Sequence, residues 1–470
     1  MNNHSAPDLT QGSLGTLMRR YSIPCIISLL VGALYNIVDQ IYIANADYLG
    51  SYGNAANSVV FPLTVIALAI ATMIGDGCCA AVSLSLGSGD RRRAAGCIGT
   101  SVTAVVISSV VLTSVYLIFG NTILCAFGAD VNGETLAMAG EYFFWISVGI
   151  PVYMFGQAVN PIIRSDGSPA VAMASLLAGA VCNCILDPIF IYGFRWGMMG
   201  AAIATVAGQA LSAVIAGAYL ARMKSCKLTP NDMKPSLPLL RHIIPLGFTS
   251  FMSQIAVVLS MAAVLNMCRK YAALDPVFGK AEYTQIPTAV IGIVMKFYQI
   301  VISAAIGLSA GCIPIIGYNL GAGRRERAGG VMIRLAAAEG VIGLVGAAIA
   351  LIFPHQLIGI FGASDESIYY TEFAVRCIRL FLCTLPLSCI NKGVVISLQA
   401  LGRPWVSTAL SVFREVGLGV GLVLILPLWF GLDGLLFFMA AADIIAFIPT
   451  LITAVPIVQR LGVKTDTGVS

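Results

Sequence analysis

Long apolar runs follow one another along the chain, and the polar residues collect in the short stretches between them. The first run starts near residue 23 and has the length, about 20 residues, of a helix that crosses a roughly 30 Å hydrocarbon layer. Dividing the sequence at clusters of charge, glycine and proline gives twelve such runs. They cover residues 23–45, 55–85, 94–119, 136–158, 169–193, 198–221, 242–268, 285–318, 328–353, 370–398, 405–428 and 433–458. The pattern predicts an all-α polytopic membrane protein with twelve transmembrane helices.

The composition agrees with a membrane protein and excludes several other classes. Hydrophobic residues make up 58% of the 470-residue chain, charged residues make up 10%, and the mean hydropathy is +0.90. A soluble domain holds about 25% charged residues. The net charge of +5 is spread over short loops, so we expect a lipid bilayer and no nucleic acid as partner. The 13 cysteines lack the spacing of zinc or iron–sulfur ligands, and we expect no cofactor.

The positively charged residues are divided unevenly between the two sets of loops. One set contains Arg19, Arg20, Arg91, Arg92, Arg93, Arg164, Arg222, Lys224, Lys227, Lys234, Arg241, Arg324, Arg325, Arg327, Arg403, Arg460 and Lys464. The other set contains Arg195, Arg269, Lys270 and Lys280. Because lysine and arginine accumulate in cytoplasmic loops, this division predicts that both termini lie in the cytoplasm.

The two halves of the chain resemble each other. The segment LGSGDRRRA at Leu86–Ala94 matches LGAGRRERA at Leu320–Ala328, a displacement of 234 residues, and Gly77 matches Gly311 at the same displacement. Six spans in each half give both halves one orientation, which predicts two six-helix lobes related by an axis along the membrane normal. The predicted parts are a cytoplasmic tail at 1–14, an N-lobe at 15–221, a cytoplasmic linker at 222–241, a C-lobe at 242–460 and a cytoplasmic tail at 461–470.

A lone acid interrupts the first apolar run. Asp39 is the only Asp, Glu, Lys or Arg between Ile23 and Ala44. An aspartate at the centre of such a helix costs about 2.5 to 3.5 kcal/mol on insertion scales. Either other groups offset this cost, or Asp39 lies at the membrane interface at the end of its span.

The fifth span carries a second acid with polar neighbours. Asn183 and Asp187 are four residues apart, so they share one helix face, and Pro188 leaves the carbonyl of Cys184 without its helical hydrogen bond. Thr205 on the next span can add a hydroxyl. Together with the first-span acid, these oxygens suit either a sodium ion or a carboxyl that binds and releases a proton. The alternative is that Asn183 and Asp187 mark a helix end at the outer membrane surface.

Further charges inside the apolar runs suggest a cavity. Asp76 either lines a cavity in the N-half or lies in a glycine-rich kink. Lys296, flanked by Met295 and Tyr298, is a candidate cavity residue of the C-half. Several other C-half cations are expected to be helix-end anchors that reach the interface, among them Arg376 and Arg414.

Five segments together carry a family resemblance. They are YNIVDQIYI, GNAANSVVFPL, LGSGDRRRA, NCILDPIFIYG and PIIGYNLGAGRRERA. With them the chain resembles the multidrug and toxic compound extrusion (MATE) family, in particular its bacterial MepA-like branch, over nearly all of residues 15–460. The resemblance implies twelve helices in two lobes and efflux of organic, often cationic, compounds from a bacterial plasma membrane against protons or sodium. The implied N-lobe ion site corresponds here to Tyr35, Asp39, Asn183, Asp187 and Thr205.

The chain departs from the family pattern in two respects. Asp76 stands where family members usually have a small residue, and the C-lobe acids of the sodium-coupled branch have no clear counterpart here. The ion site is therefore expected in the N-lobe.

The resemblance predicts a secondary active multidrug exporter that acts as a monomer on small organic substrates. One alternative is a flippase for lipid-linked oligosaccharides, from the same superfamily, which would favour a strongly cationic cavity. The other is an intramembrane enzyme. The segment MIGDG lacks the first glycine of the Gly-x-Gly-Asp signature of intramembrane aspartyl proteases, and no His-Glu-x-x-His occurs, so no enzymatic activity is expected. Protons and sodium remain alternative coupling ions.

Overall fold

The described part of the chain consists of helices joined by turns. The computed structural model describes residues 9–127, 133–280, 283–359 and 368–462. Across these ranges the secondary structure is helical and no strand occurs. The outer ends of the two predicted tails, residues 1–8 and 463–470, lie outside the described residues.

Twelve helices of membrane-spanning length follow one another within the described ranges. They are α1 (Leu14–Ala44), α2 (Gly50–Gly87), α3 (Arg91–Ala126), α4 (Gly133–Ser165), α5 (Pro169–Gly193), α6 (Gly197–Leu220), α7 (Leu237–Ala272), α8 (Ile286–Gly321), α9 (Arg325–Ile352), α10 (Ile368–Ala400), α11 (404–430) and α12 (Gly434–Arg460). A short helix, Pro354–Gly359, follows α9. The helices α1–α6 form the N-lobe and α7–α12 form the C-lobe, as the repeat predicts.

The last two spans are almost continuous. Helical structure runs from Pro404 to Arg460 over 57 residues, which is too long for one span. The break is a single 3-10 turn, Gly431–Asp433, in which Gly431 has a φ of 57°. Glycine adopts this left-handed conformation without a Cβ clash, so the chain reverses there and α12 returns through the membrane.

Three spans depart from regular α-helix. The helix α5 ends in a π-helical turn, Ile189–Gly193, directly after Pro188. The helix α11 is π-helical over Phe413–Val420, and α10 is interrupted by a turn between Leu382 and Leu385. Prolines and π-helical turns are the usual causes of bends in long helices, and such turns are frequent at functional sites.

The linker between the lobes is shorter than predicted. The helix α7 begins at Leu237, inside the predicted linker 222–241, because Pro238 at the first turn favours helix initiation there. The linker is held against the N-lobe by Asp166. Its carboxylate accepts hydrogen bonds from the Tyr219 hydroxyl at 2.6 Å and from the backbone amides of Lys224 and Ser225 at 2.9 and 2.8 Å.

The lobes pack closely on one side of the molecule, which we call the terminal face because α1 begins and α12 ends there. A Cβ added at Gly77 would lie 2.3 Å from the carbonyl oxygen of Ile243, and one added at Gly247 would lie 1.7 Å from that of Met73. Only glycine permits so close an approach of α2 and α7.

The buried apolar residues follow the same division. One continuous cluster crosses both lobes at the terminal face and includes Met18, Cys78, Ile243 and Ile313. Toward the opposite face the two lobes have separate clusters, one containing Ile146 in the N-lobe and another containing Phe381 in the C-lobe. The molecule is therefore closed at the terminal face, and its lobes have independent cores toward the other face.

Candidate functional site

The centre of the N-lobe holds a polar cluster on α5 and α6. Asp187 is completely buried, and the Asn183 side chain, one turn earlier on α5, donates a hydrogen bond to its Oδ1 at 3.1 Å. The same Asn183 Nδ2 lies 3.4 Å from the Thr205 hydroxyl on α6. The two helices can approach this closely because Gly179 and Gly208 face each other; a Cβ on Gly208 would lie 2.5 Å from the Gly179 carbonyl oxygen.

The helix α1 completes the cluster. Asp39 is buried, and its charge interacts with that of Asp187 across the space between α1 and α5. Tyr35, one turn before Asp39 on α1, interacts with both carboxyls. The structure thus brings together the five residues that sequence reasoning proposed for an ion site, at the convergence of α1, α5 and α6.

Several oxygen atoms of this cluster have no donor within the described part of the chain. They are Asp39 Oδ1, Asn183 Oδ1 and Asp187 Oδ2, each buried. None of the ion pairs found among the described residues involves Asp39 or Asp187. Burying an acceptor without a donor is costly, and burying a charge without a counter-charge costs more. Chemically, the cluster is suited to bind one or more protons or a small cation.

Sequence reasoning missed one member of the cluster. Tyr142 on α4 is buried, and its hydroxyl interacts electrostatically with Thr205 and with the cluster residues Asp39, Tyr35 and Asp187. Its neighbours Phe143, Phe144 and Trp145 make this segment read as an ordinary aromatic-rich span. No local signal distinguishes it, since only the packing of α4 against α6 directs the Tyr142 hydroxyl to the site.

Comparison with known proteins identifies the family. The family model described as MatE matches residues 24–189 and 280–425, which include most of both lobes. The chain belongs to the MatE family. Multidrug export protein MepA of Staphylococcus aureus (strain NCTC 8325 / PS 47) is 25% identical over 452 residues, covering 96% of this chain and 95% of that protein.

Solved structures of MATE proteins have the same fold as this MatE chain. The crystal structure of MATE in complex with MaL6 superposes with a TM-score of 0.87 at 24% identity, covering 97% of this chain and 98% of that one. An outward-facing conformation of a multidrug resistance MATE family transporter of the MOP superfamily also gives 0.87, at 23% identity and with 98% and 99% of the two chains covered. Both support two lobes of six helices each.

Asp76 of this MatE protein lies between the lobes. Its Oδ2 accepts a hydrogen bond from the Ser250 hydroxyl of α7 at 2.9 Å, and its Oδ1 lies 3.5 Å from Arg164 Nη2 at the end of α4. The loop position that the charge count assigned to Arg164 is wrong, because the side chain is buried and also contacts the Cys25 thiol at 3.7 Å. A sequence-based loop boundary at this arginine hid its pairing with Asp76.

The remaining candidate residues lie in the C-lobe. Met295 and Tyr298 pack against the C-lobe core, and Lys296 on the same helix is half-buried. The Tyr298 hydroxyl accepts a hydrogen bond from Arg414 at 2.9 Å. These residues do not join the N-lobe cluster, so the candidate residues fall into an N-lobe site, an inter-lobe contact and a C-lobe group.

Of the two cations named above among the expected interface anchors, Arg376 and Arg414, one lies inside the C-lobe. Arg376 is exposed and pairs with Asp433 at 3.0 Å, as an interfacial residue would. The anchor prediction is wrong for Arg414, whose guanidinium forms an ion pair with Asp443 of α12 at 2.6 Å. The π-helical part of α11 and the carboxylate of α12 hold Arg414 inward, and neither can be recognised from the sequence around the arginine.

Proposed function

We propose that this protein is a secondary active multidrug exporter. It moves small organic, often cationic, compounds across the bacterial plasma membrane by alternating access, and it works as a monomer. The observation that carries the proposal is the pair of buried carboxyls, Asp39 and Asp187, with no basic partner among the described residues, in a lobe that meets its partner lobe only at one face. Membership of the MatE family and the similarity to multidrug export protein MepA support it.

The coupling cation, a proton or a sodium ion, binds at this N-lobe pair. The unpartnered oxygens of Asp39, Asn183 and Asp187 are the groups that would receive it. Tyr35, Tyr142 and Thr205 surround the pair and would hold its geometry when the cation leaves. Substrate and cation favour different arrangements of the lobes, so each displaces the other without direct contact.

The closed terminal face corresponds to the cytoplasmic side in this proposal, because the arginine-rich loops lie there. The state described here is then outward-facing. Single cysteines in place of Arg92 and Arg325 should react with a membrane-impermeant reagent in everted vesicles and remain unlabelled in intact cells. A cysteine in place of Arg195 serves as the control and should show the opposite pattern. Labelling of the first two from outside intact cells would reverse the orientation.

A flippase is the less suitable function for this C-lobe. A lipid pyrophosphate needs cationic groups that are free to bind it. Two basic side chains in the interior of the C-lobe are paired with acids: Lys392 with Glu415, and Arg414 with Asp443. The available charge is therefore small, whereas the N-lobe offers uncompensated acids.

The decisive experiment is transport of a cationic dye in everted vesicles, with a proton gradient and a sodium gradient imposed separately. We expect one gradient to drive uptake and Asp39→Asn to abolish it while the protein still folds and inserts. The matched control is Asp47→Asn, an exposed acid just beyond the same helix, which should transport as the unmodified protein does. Gradient-driven uptake at full rate by Asp39→Asn would contradict the assignment of the site.

A further inference from the structure

The C-lobe interior contains buried acids that the proposed mechanism does not use. They are Glu339 on α9, Glu415 on α11 and Asp443 on α12, exposed by 0%, 7% and 1%. Two of them have a basic partner, since Arg414 pairs with Asp443 at 2.6 Å and Lys392 pairs with Glu415. Glu339 accepts a hydrogen bond only from Ser309, at 2.6 Å, as far as the described residues extend.

The two lobes therefore treat their buried acids differently. In the N-lobe, Asp39 and Asp187 approach each other with amide and hydroxyl neighbours and no cation within ion-pair distance in the described structure. In the C-lobe, the ammonium and guanidinium groups of the chain itself stand beside two carboxylates. A tethered cation neutralises a carboxylate as a bound proton or sodium ion would, but it cannot be exchanged with the solution.

The repeat relates the two places. Arg20 and Pro24 of α1 align with Arg241 and Pro245 of α7 at a displacement of 221 residues, in place of the 234 residues that relate α2 to α8. In this alignment Ser260 is the C-lobe equivalent of Asp39. The Ser260 hydroxyl donates to the main-chain oxygen of Glu415 at 3.4 Å. The C-lobe position equivalent to the α1 acid thus faces α11 beside Glu415, as Asp39 faces α5.

We infer that Lys392 is a tethered counter-cation that keeps Glu415 ionised and so prevents the C-lobe from taking up a second coupling ion. Ser253 of α7 supports the pair, because its hydroxyl lies 3.3 Å from Lys392 Nζ and 3.5 Å from Glu415 Oε1. The inference deepens the proposed function and rests on the N-lobe pair being the exchangeable site. Lys392 thereby sets the number of ions moved per substrate.

The charge count of the neighbourhood explains why removal of Lys392 matters. Arg414 is the other cation that interacts with Glu415. Its guanidinium already donates two hydrogen bonds, from Nε and Nη2, to the Asp443 carboxylate. Within these ion pairs two acids, Glu415 and Asp443, face two cations, so removal of Lys392 leaves one of the two acids without a counter-charge. Glu415 Oε2 is buried without a donor in the described structure, which makes it the atom that would receive a proton.

The test is infrared spectroscopy of the full-length purified protein in sodium-free buffer, which detects the carbonyl band of neutral carboxyl groups. Lys392→Met should gain one such band, and adding Glu415→Gln should remove it. Arg376→Met is the matched control: its partner Asp433 is half exposed to solvent, so no new band is expected. A band lost on Glu415→Gln in a background that retains Lys392 would overturn the inference, as would no new band in Lys392→Met.

A second arm keeps the inference testable if Lys392→Met folds poorly. The double variant Lys392→Met with Glu415→Gln replaces a buried ion pair by neutral groups, which proteins often tolerate. It should release the same number of protons, or bind the same number of sodium ions, per substrate as the unmodified protein. A smaller number would show that the pair takes part in coupling. Failure of the proposed N-lobe site would be seen separately, as unchanged coupling in Asp39→Asn.

Discussion

At the scale of single residues, neighbours determine what a buried carboxyl can do. Asp187 and Asp443 are almost equally buried. Asp443 forms an ion pair with the Arg414 guanidinium at 2.6 Å. Asp187 instead accepts a hydrogen bond from the Asn183 amide at 3.1 Å and interacts with a second acid, Asp39. Binding of a proton or cation therefore stabilises the Asp187 site far more than the Asp443 site, because the neighbours of Asp187 supply no positive charge.

Substrate affinity measured against pH, with sodium absent, reports on this difference. If protons are the coupling ion, the substrate dissociation constant should rise as the pH falls, because protonation of Asp39 and Asp187 favours the state that releases substrate. For each proton that competes with substrate, the dissociation constant should change by up to about tenfold per pH unit. The variant Asp39→Asn should flatten the profile. A flat profile in the unmodified protein, with a response only to added sodium, would exclude protons.

At the scale of elements, helix contacts at the terminal face depend on glycine. The helices α2 and α7 meet where Gly247 leaves room for the Met73 carbonyl oxygen, and Gly77 does the same for Ile243. These contacts exist only while the lobes are closed at this face. Irregular segments lie elsewhere, at the π-helical turn after Pro188 and within α11, close to the polar groups of each lobe. The close glycine contacts and the irregular helical segments thus lie at different depths along the spans.

Replacement of Gly247 by alanine should open the terminal face. The new Cβ would lie 1.7 Å from the Met73 carbonyl oxygen, a backbone atom that cannot move alone. Overpacking of this kind costs about 1 to 3 kcal/mol, which corresponds to roughly a 5- to 150-fold change in the ratio of closed to open molecules.

Cysteine labelling at the terminal face measures this ratio. Gly32→Ala in α1 is the control, because its added Cβ meets nothing within 4 Å and should leave the labelling rate unchanged. Equal labelling rates in Gly247→Ala and Gly32→Ala would contradict the expected role of the contact.

At the scale of the whole molecule, a polar contact joins the lobes beside the glycines. Asp76 of the N-lobe accepts the Ser250 hydroxyl of the C-lobe and also faces Arg164 of its own lobe. Separation of the lobes at the terminal face would break the hydrogen bond from Ser250 and leave Asp76 with Arg164 as its remaining partner of the two. The closed state is therefore stabilised by a hydrogen bond to a charged group, which contributes about 1.5 to 3 kcal/mol.

Ser250→Ala should accordingly lower the closed population about tenfold or more. Spin labels at positions 92 and 325 would report the change as a longer distance across the terminal face. Ser260→Ala is the matched control on the same helix, since its hydroxyl contacts only the main chain of the C-lobe among the hydrogen bonds described. An unchanged distance distribution in Ser250→Ala would mean that the apolar contacts alone hold the face closed.

The sequence by itself determined the elements and most of the N-lobe site. Apolar runs of bilayer length must become helices because the hydrocarbon core offers no hydrogen-bond partner to the backbone, so twelve spans and their order could be predicted from composition. Asp39, Asn183 and Asp187 were recognisable because acids and amides are costly in such runs and stand out against them.

Only the tertiary structure decided which polar groups meet. Tyr142 looks like any other aromatic residue of a span, Arg164 looks like a loop charge, and Arg414 looks like an interface anchor. Each acquires its role from a residue on another helix: Thr205, Asp76 and Asp443 respectively. Sequence periodicity specifies which face of a helix a residue occupies. The residue that lies across that face depends on how the helices pack. Glycine contacts and turns far away in the sequence control this packing together.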